Sequence, residues 1–276
     1  MKNSTAFLFT LLFPFIAFSQ IRLPQDSLAF IQQKWQTQKV AKGVIWKNLS
    51  TTAVFNSTQI INIIEIDLKQ NQKKLGIKAL PKSRELTSSL AKQVKAFVAI
   101  NGGFFDMKNG GAVDYIKVEN KVINTTINPS DRANAFLAFD KKATKITSDS
   151  TIIGSYPNII LAGPSLLTQN SRAQLSKNAF NDNRHPRTAI GLKGNKLILI
   201  TVDGRRSQSQ GMNLHELAHI MKWYGCQDAM NLDGGGSTAM YIINQPYNGI
   251  VNYPSDNNKF DHEGERKVSN IIYLTN

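Results

Sequence analysis

The sequence predicts an α+β fold: a single main domain of mixed or antiparallel sheets with a few packed helices. Short apolar runs recur along most of the chain, each bounded by Gly, Pro, Asn or Asp. Only two or three segments carry apolar residues at helical spacing, so strands dominate. No repeat or low-complexity tract interrupts this pattern.

Taken in order, residues 1–19 read as a signal peptide. Met1-Lys2 is a positive start, Ala6–Phe18 carries no charge, and Ala17-Phe18-Ser19 has small residues flanking a cleavage point. The run falls short of the ~20 residues that a membrane span needs, and no cysteine follows to carry a lipid. The expectation is export to the periplasm or outside, without a stable membrane anchor. Residues 20–95 then supply a helix and strands that belong to the same fold, and 96–276 form the core domain.

Gln25–Lys39 predicts an amphipathic helix, with Leu28, Ile31 and Trp35 at helical spacing. Strands are expected at Gly43–Lys47, Ile60–Leu68 and Leu75–Leu80. A short helix, Ser88–Lys95, leads into the buried-looking run Ala96–Ile100. Further strands follow at Tyr115–Val118, Lys121–Asn124, Ala135–Phe139, Ile159–Ala162, Thr188–Leu192 and Lys196–Val202. A clear helix, Asn213–Tyr224, has the apolar face Leu214, Leu217, Ala218 and Met221. The run Ala229–Leu232 precedes a glycine loop, and Ser237–Ile243 and Ile271–Leu274 close the chain as strands.

The chain has 276 residues, a formal net charge of +14 and one cysteine, Cys226. A single cysteine excludes an internal disulfide, and its apolar neighbours favour an inert buried thiol. Lysines crowd two stretches: Lys69, Lys73, Lys74, Lys78 and Lys82, then Lys141, Lys142 and Lys145. Neither stretch interleaves aromatics as a single-strand nucleic-acid surface does, so no nucleic-acid partner is expected. The charge suits an anionic small molecule or glycan.

The most informative segment is Asn231-Leu232-Asp233-Gly234-Gly235-Gly236-Ser237-Thr238. Consecutive glycines lose the most backbone entropy on ordering, so they belong where the backbone must turn left-handed or approach something bulky. Bare N–H groups beside a carboxylate and two hydroxyls suit a phosphorylated or sugar-like ligand. Two other strand ends carry similar clusters: Asn101-Gly102-Gly103-Phe104-Phe105-Asp106 and Asp203-Gly204-Arg205-Arg206. Arg187, opening a strand after Pro186, offers a planar fork for phosphate.

A competing motif is His215-Glu216-Leu217-Ala218-His219, the spacing of a zinc-peptidase helix. The position three residues after His219 is Lys222 rather than glycine, and no glutamate follows before Glu263. A third metal ligand is therefore missing from the pattern, apart from Asp228, and no metal site is assigned.

Several of these motifs occur together in the order found in the phosphodiester glycosidases, and the chain resembles that family. They are Asn101–Phe105, Arg187–Gly191, Val202–Gly204, Gly211–Ala218 and Asn231–Ser237, followed by Tyr253–Asp256 and Arg266–Ser269. The resemblance runs from about Ala96 to Leu274. A mammalian member has arginine at Asp106, glutamine at Arg205, and tryptophan and glutamate at His215 and His219. It keeps glutamate at Glu216.

The resemblance implies hydrolysis of a sugar 1-phosphodiester, releasing the sugar and leaving a phosphomonoester. Such a leaving group needs its charge bound more than it needs a strong acid. Asp233, Asp203 and Glu216 are the candidate catalytic carboxylates, with roles left open. Arg187 is expected to neutralise phosphate, and the N–H groups of Gly234, Gly235 and Gly236 with the Ser237 and Thr238 hydroxyls to cradle it. Asn101, Gly102, Gly103, Phe104, Asp106, Arg205 and Asn231 join the expected binding set. Asp233 is expected to have a lowered pKa. No cofactor is assigned, and a helping calcium or magnesium ion is left open. The alternatives are a zinc peptidase using His215 and His219, and a non-catalytic binder of anionic surface polysaccharide.

Overall fold

The computed structural model describes residues 23–128 and 130–275. The expected signal peptide lies outside them. No helix among the described residues is long and apolar enough to cross a membrane.

An eight-stranded antiparallel sheet forms the middle layer. Its strands run in the spatial order Gln36–Ala41, Val44–Val54, Ser57–Asp67, Lys196–Val202, Arg187–Lys193, Asp228–Asn231, Ser165–Thr168, Ser171–Arg172. Alternate side chains of a strand point to opposite faces. In Lys196–Val202, Leu197 and Leu199 enter one core while Ile198 and Ile200 enter the other. Both faces are covered, which explains why this strand reads as an unbroken apolar run.

One face carries the helices Leu23–Ile31 and Leu214–Trp223, the latter burying Leu214, Leu217, Ile220 and Met221 against Ile61, Ile63 and Ile200. The other face packs on two smaller antiparallel sheets. Four strands, Met240–Ile242, Ala96–Asn101, Asn270–Thr275 and Leu75–Ala79, form one. Five strands, Thr144–Thr147, Ala135–Phe139, Asn158–Ala162, Ile116–Val118 and Lys121–Asn124, form the other. The helix Thr87–Gln93 covers the outside of the four-stranded sheet with Leu90 and Ala91. The fold is α+β, as the sequence predicts, and of the mixed or antiparallel sheets expected the described strands all pair antiparallel.

Several elements differ from expectation: Thr144–Thr147, Ser165–Thr168 and Ser171–Arg172 pair as strands where none was expected, and two further segments change type or bounds. The first helix stops at Ile31, and Gln36–Ala41 pairs as a strand with Val44–Val54. Trp35 is not on a helix face; it meets Phe30 edge-on, with ring centroids 5.8 Å apart. The segment after the glycines is a short 3-10 turn, Gly235–Ser237, then the strand Met240–Ile242.

Strand register sets where the site forms. Arg187 pairs with Val202, Ala189 with Asn231, and Ile271 with Asn101. The loops leaving Asn101, Val202 and Asn231 therefore emerge at the same end of the sheets.

Candidate active site

The glycine loop is pinned from beneath. The Asp233 N–H donates to Gly102 O at 3.0 Å, and Asn101 Nδ2 donates to Asp233 O at 2.7 Å. Asn101 Oδ1 accepts from Thr188 Oγ1 at 2.7 Å and from the Ala239 N–H at 3.1 Å. Gly103 N–H donates to Asn270 Oδ1, and Asn231 Nδ2 donates to Gly163 O and Leu232 O. Asn101, Gly102, Gly103 and Asn231 are buried. Through these internal bonds they position the loop.

The glycines meet both demands inferred for them. Gly235 has φ +60, a left-handed conformation that glycine adopts without strain. At Gly236 an added Cβ would lie 2.6 Å from Arg266 Nη2. The expected N–H cradle is not there, because most of these donors already have acceptors inside the protein. Gly234 N–H donates to Asp233 Oδ1, Gly235 to Pro186 O, Ser237 to Gly234 O and Thr238 to Gly235 O. Among the described residues, Gly236 carries the loop's one N–H without an acceptor. The Ser237 and Thr238 side chains are buried, and among the described residues neither hydroxyl has a well-formed hydrogen bond.

Cationic side chains surround this loop. Arg266 is held by Asp256, its Nε 2.9 Å from Oδ1, and the pair lies against Gly236. The exposed Arg205, itself left-handed at φ +64, sits against Gly235. Arg132 rests on the Phe104 ring with its guanidinium carbon 4.2 Å from the centroid, and pairs with Asp114 at 3.4 Å. Phe104 also meets Phe180 edge-on. The Asp106 carboxylate closes its own turn by accepting the Lys108 and Asn109 N–H groups.

Burial raises the Asp233 pKa to about 6, opposed by the Ser237 hydroxyl, the Gly234 N–H and the charges of Arg266 and Arg132. The expected lowering is thus reversed: desolvation outweighs the donors. Asp203 is more deeply placed. Burial pushes its pKa up to about 7, against hydrogen bonds from Asn252 Nδ2 at 3.1 Å and the Tyr253 N–H at 2.9 Å. Both bonds use Oδ1, and among the described residues Oδ2 has no hydrogen-bond partner.

Two expected catalytic groups are otherwise engaged. Arg187 is 1% exposed, with Nε on Met212 O at 2.9 Å and Nη2 on Phe180 O and Asn183 O. Among the described residues only Nη1 lacks a carbonyl partner, which leaves the guanidinium one free nitrogen rather than a two-pronged fork for phosphate. Its role is to tie three segments together. Glu216 completes a capping box with Asn213 at the start of its helix and takes Arg184 Nε and Nη2 at 2.6 to 3.1 Å. Its carboxylate is a structural junction, which removes it from the catalytic candidates.

The histidine motif is divided in the same way. His215 Nε2 meets Asp182 at 3.1 Å, while His219 Nε2 meets Arg172 Nη1 at 2.9 Å. Burial, with Arg172, Lys222 and His215 nearby, lowers the His219 pKa to about 4. A guanidinium bonded to the ring nitrogen opposes a cation there. Among the described residues no three His, Cys, Asp or Glu side chains gather to hold a metal.

The phosphodiester glycosidase family model matches residues 95–275. The chain belongs to the phosphodiester glycosidase family. The chain is 28% identical over 198 residues to the SPbeta prophage-derived protein YomE of Bacillus subtilis, a match covering 63% of this chain and 30% of that protein. It is 26% identical over 180 residues to mouse N-acetylglucosamine-1-phosphodiester alpha-N-acetylglucosaminidase, covering 58% of this chain and 33% of that enzyme. The chain thus spans about a third of the curated relatives it matches. The catalytic domain of the zebrafish enzyme of that name shares the fold, with a TM-score of 0.63, 23% identity and 88% of each chain covered.

Sequence reasoning missed Arg132 as a site residue and used Arg266 and Asp256 only as part of the resemblance. Arg266 and Asp256 were within reach, since both lie in quoted motifs. Arg132 stands in a polar loop with no motif, and only its packing on Phe104 reveals it.

Proposed function

We propose that this phosphodiester glycosidase cleaves the bond between a sugar's anomeric carbon and the phosphate oxygen of a sugar 1-phosphodiester. The observation that carries the reading is Asp233, an ionisable carboxylate on the glycine loop under the charges of Arg266 and Arg132. The phosphate would bind to Arg266, Arg205 and Arg132, whose forks match its oxygens. The anomeric carbon would then lie at Asp233. As the C–O bond breaks, its electron pair goes to the phosphate oxygen and the arginines stabilise the charge that develops. Ionised Asp233 either attacks the anomeric carbon or takes a proton from the water that does. The substrate is a glycosyl phosphate or phosphorylated glycan, met outside the cytoplasm after export.

The test is hydrolysis of a panel of sugar 1-phosphodiesters in 18O-labelled water. Label in the released sugar and none in the phosphomonoester is the expected result. Label in the phosphate would mean P–O cleavage. Stoichiometric binding of the panel without turnover would establish the alternative of a non-catalytic glycan binder.

A further inference from the structure

The two lysine-rich stretches, remote in sequence, line a single cleft. Lys73 from one and Lys141 and Lys142 from the other border a cavity of about 580 Å³. Strand register puts it at the far end of the sheets from Asp233. Leu75, in its wall, pairs with Leu274, whereas Asn270 at the other end of that strand holds Gly103. Likewise Phe139 pairs with Asn158 at the cleft, while Ala135 pairs with Ala162 next to Gly163, which is bonded to Asn231.

The walls are tied together. Gln72 Nε2 donates to Asp140 O at 2.7 Å, and Gln72 Oε1 accepts from Thr144 Oγ1 at 3.0 Å. Asn120 N–H donates to Pro157 O at 2.9 Å, and the Glu119 N–H to Asn158 Oδ1 at 3.0 Å. The cleft is therefore formed before any ligand arrives, which reduces the ordering cost of binding. Two carboxylates also line it, Glu119 and Asp140. Asp140 is turned into its own loop, where Oδ1 accepts the Lys142 and Ala143 N–H groups at 2.7 Å.

The lining combines ammonium groups with the amides of Asn120 and Asn158, the Ser155 hydroxyl and the Tyr156 ring. Amides and hydroxyls match sugar hydroxyls, and an amphipathic ring suits the apolar face of a pyranose. Lysines are mobile point charges that accept anions of varied geometry, unlike the forks at the reacting centre. Of its two aromatics Phe139 is buried in the core, and Tyr156 alone gives no base-stacking track for nucleic acid. We infer that this cleft is a second binding site that holds an acidic stretch of a glycan chain away from the reacting centre. It extends the glycan-directed reading of the active site without depending on turnover.

The test is titration of the whole protein with a fluorescent oligogalacturonate and with a neutral dextran oligomer, at about 0.15 M salt so that long-range charge is screened. Three variants are compared: wild type, Lys73→Ala/Lys141→Ala/Lys142→Ala, and the charge-matched control Lys34→Ala/Lys39→Ala/Lys222→Ala. The expected result is oligogalacturonate binding by wild type that weakens about tenfold or more in the cleft variant and less than about twofold in the control. The cleft variant should also keep wild-type turnover of a small sugar 1-phosphodiester, if the active-site reading holds. Equal weakening in both variants would assign the binding to overall charge and overturn the inference. So would no oligogalacturonate binding, or a preference for dextran.

Discussion

Arg266 lies so close over Gly236 that a Cβ there would come 2.6 Å from its Nη2, and 2.5 Å from Asp256 Oδ1. The glycine is therefore the floor on which the arginine–carboxylate pair rests, and a side chain there displaces the pair. Gly236→Ala is expected to lower kcat/KM with the fold intact by circular dichroism. Arg266→Ala should cost roughly 10- to 100-fold in kcat/KM, the range for a charged hydrogen bond lost, and Arg266→Lys should recover part of it. Wild-type kinetics in Arg266→Ala would remove it from the phosphate site.

For Asp233 the expected loss in Asp233→Asn is at least ~100-fold in kcat with KM within a few-fold, as for a group acting in the transition state. A carboxylate at about 6 is protonated below that pH. If it works ionised, wild-type kcat/KM should climb as pH rises through about 6, and the residual activity of Asp233→Asn should lack that limb. A purely KM-based defect would make Asp233 a binding residue.

Asp203 has its pKa raised by burial to about 7. Between the ordinary carboxylate pKa and about 7 the folded chain holds a proton that the unfolded chain has released, so this group's contribution to stability falls as pH rises across that window. Asp203→Asn should therefore lose less stability between pH 5 and pH 8 than wild type, as followed by urea unfolding. Parallel curves for the two proteins would show that Asp203 carries no such proton.

Glu65 works in the opposite sense. It is buried, and burial alone would raise its pKa, but Lys196 at 2.6 Å, Lys47 at 2.8 Å and the Tyr224 hydroxyl at 2.5 Å hold it at about 2. Its stabilisation is present above the ordinary glutamate pKa and disappears as pH falls towards about 2. Glu65→Gln should cost roughly 3 kcal/mol near neutrality, with a smaller gap at pH 3. Equal stability of the two proteins at pH 7 would contradict the pairing.

His215→Ala/His219→Ala should retain most phosphodiester hydrolysis, since each ring is engaged by a different partner. Elemental analysis showing one zinc per wild-type chain, lost together with activity in the double variant, would restore the peptidase reading.

The sheets were legible because their strands are apolar on one or both faces: Ala96–Ile100, Ala135–Phe139 and Lys196–Val202 fall within a residue of the observed strands. The turns were legible only where both flanking strands were: the expected strands Tyr115–Val118 and Lys121–Asn124 leave Glu119-Asn120 between them, whereas Phe55-Asn56 and Gln169-Asn170, also two-residue hairpins with both residues left-handed, lack the glycine that normally announces such a turn. At the site, Asp233 and its glycines were visible because three ordered glycines need a cause. Arg187 was misread because a strand-opening arginine looks alike whether it meets phosphate or carbonyl oxygens. Its partners Phe180, Asn183 and Met212 come from other segments.

The strand Ser57–Asp67 lies outside residues 95–275 that match the family, yet it stands between Val44–Val54 and Lys196–Val202 in the sheet. Its end is stitched to the loop bearing Arg205: Asp203 N–H donates to Ile60 O, Gln210 N–H to Thr58 O, and Ile60 N–H to Ser209 Oγ. A fragment cut at the boundary of family similarity would leave Lys196–Val202 as a bare apolar edge, open to pairing with other chains. The stretch that the family model matches is smaller than the sheet it belongs to, and engineering on this scaffold must keep the whole sheet.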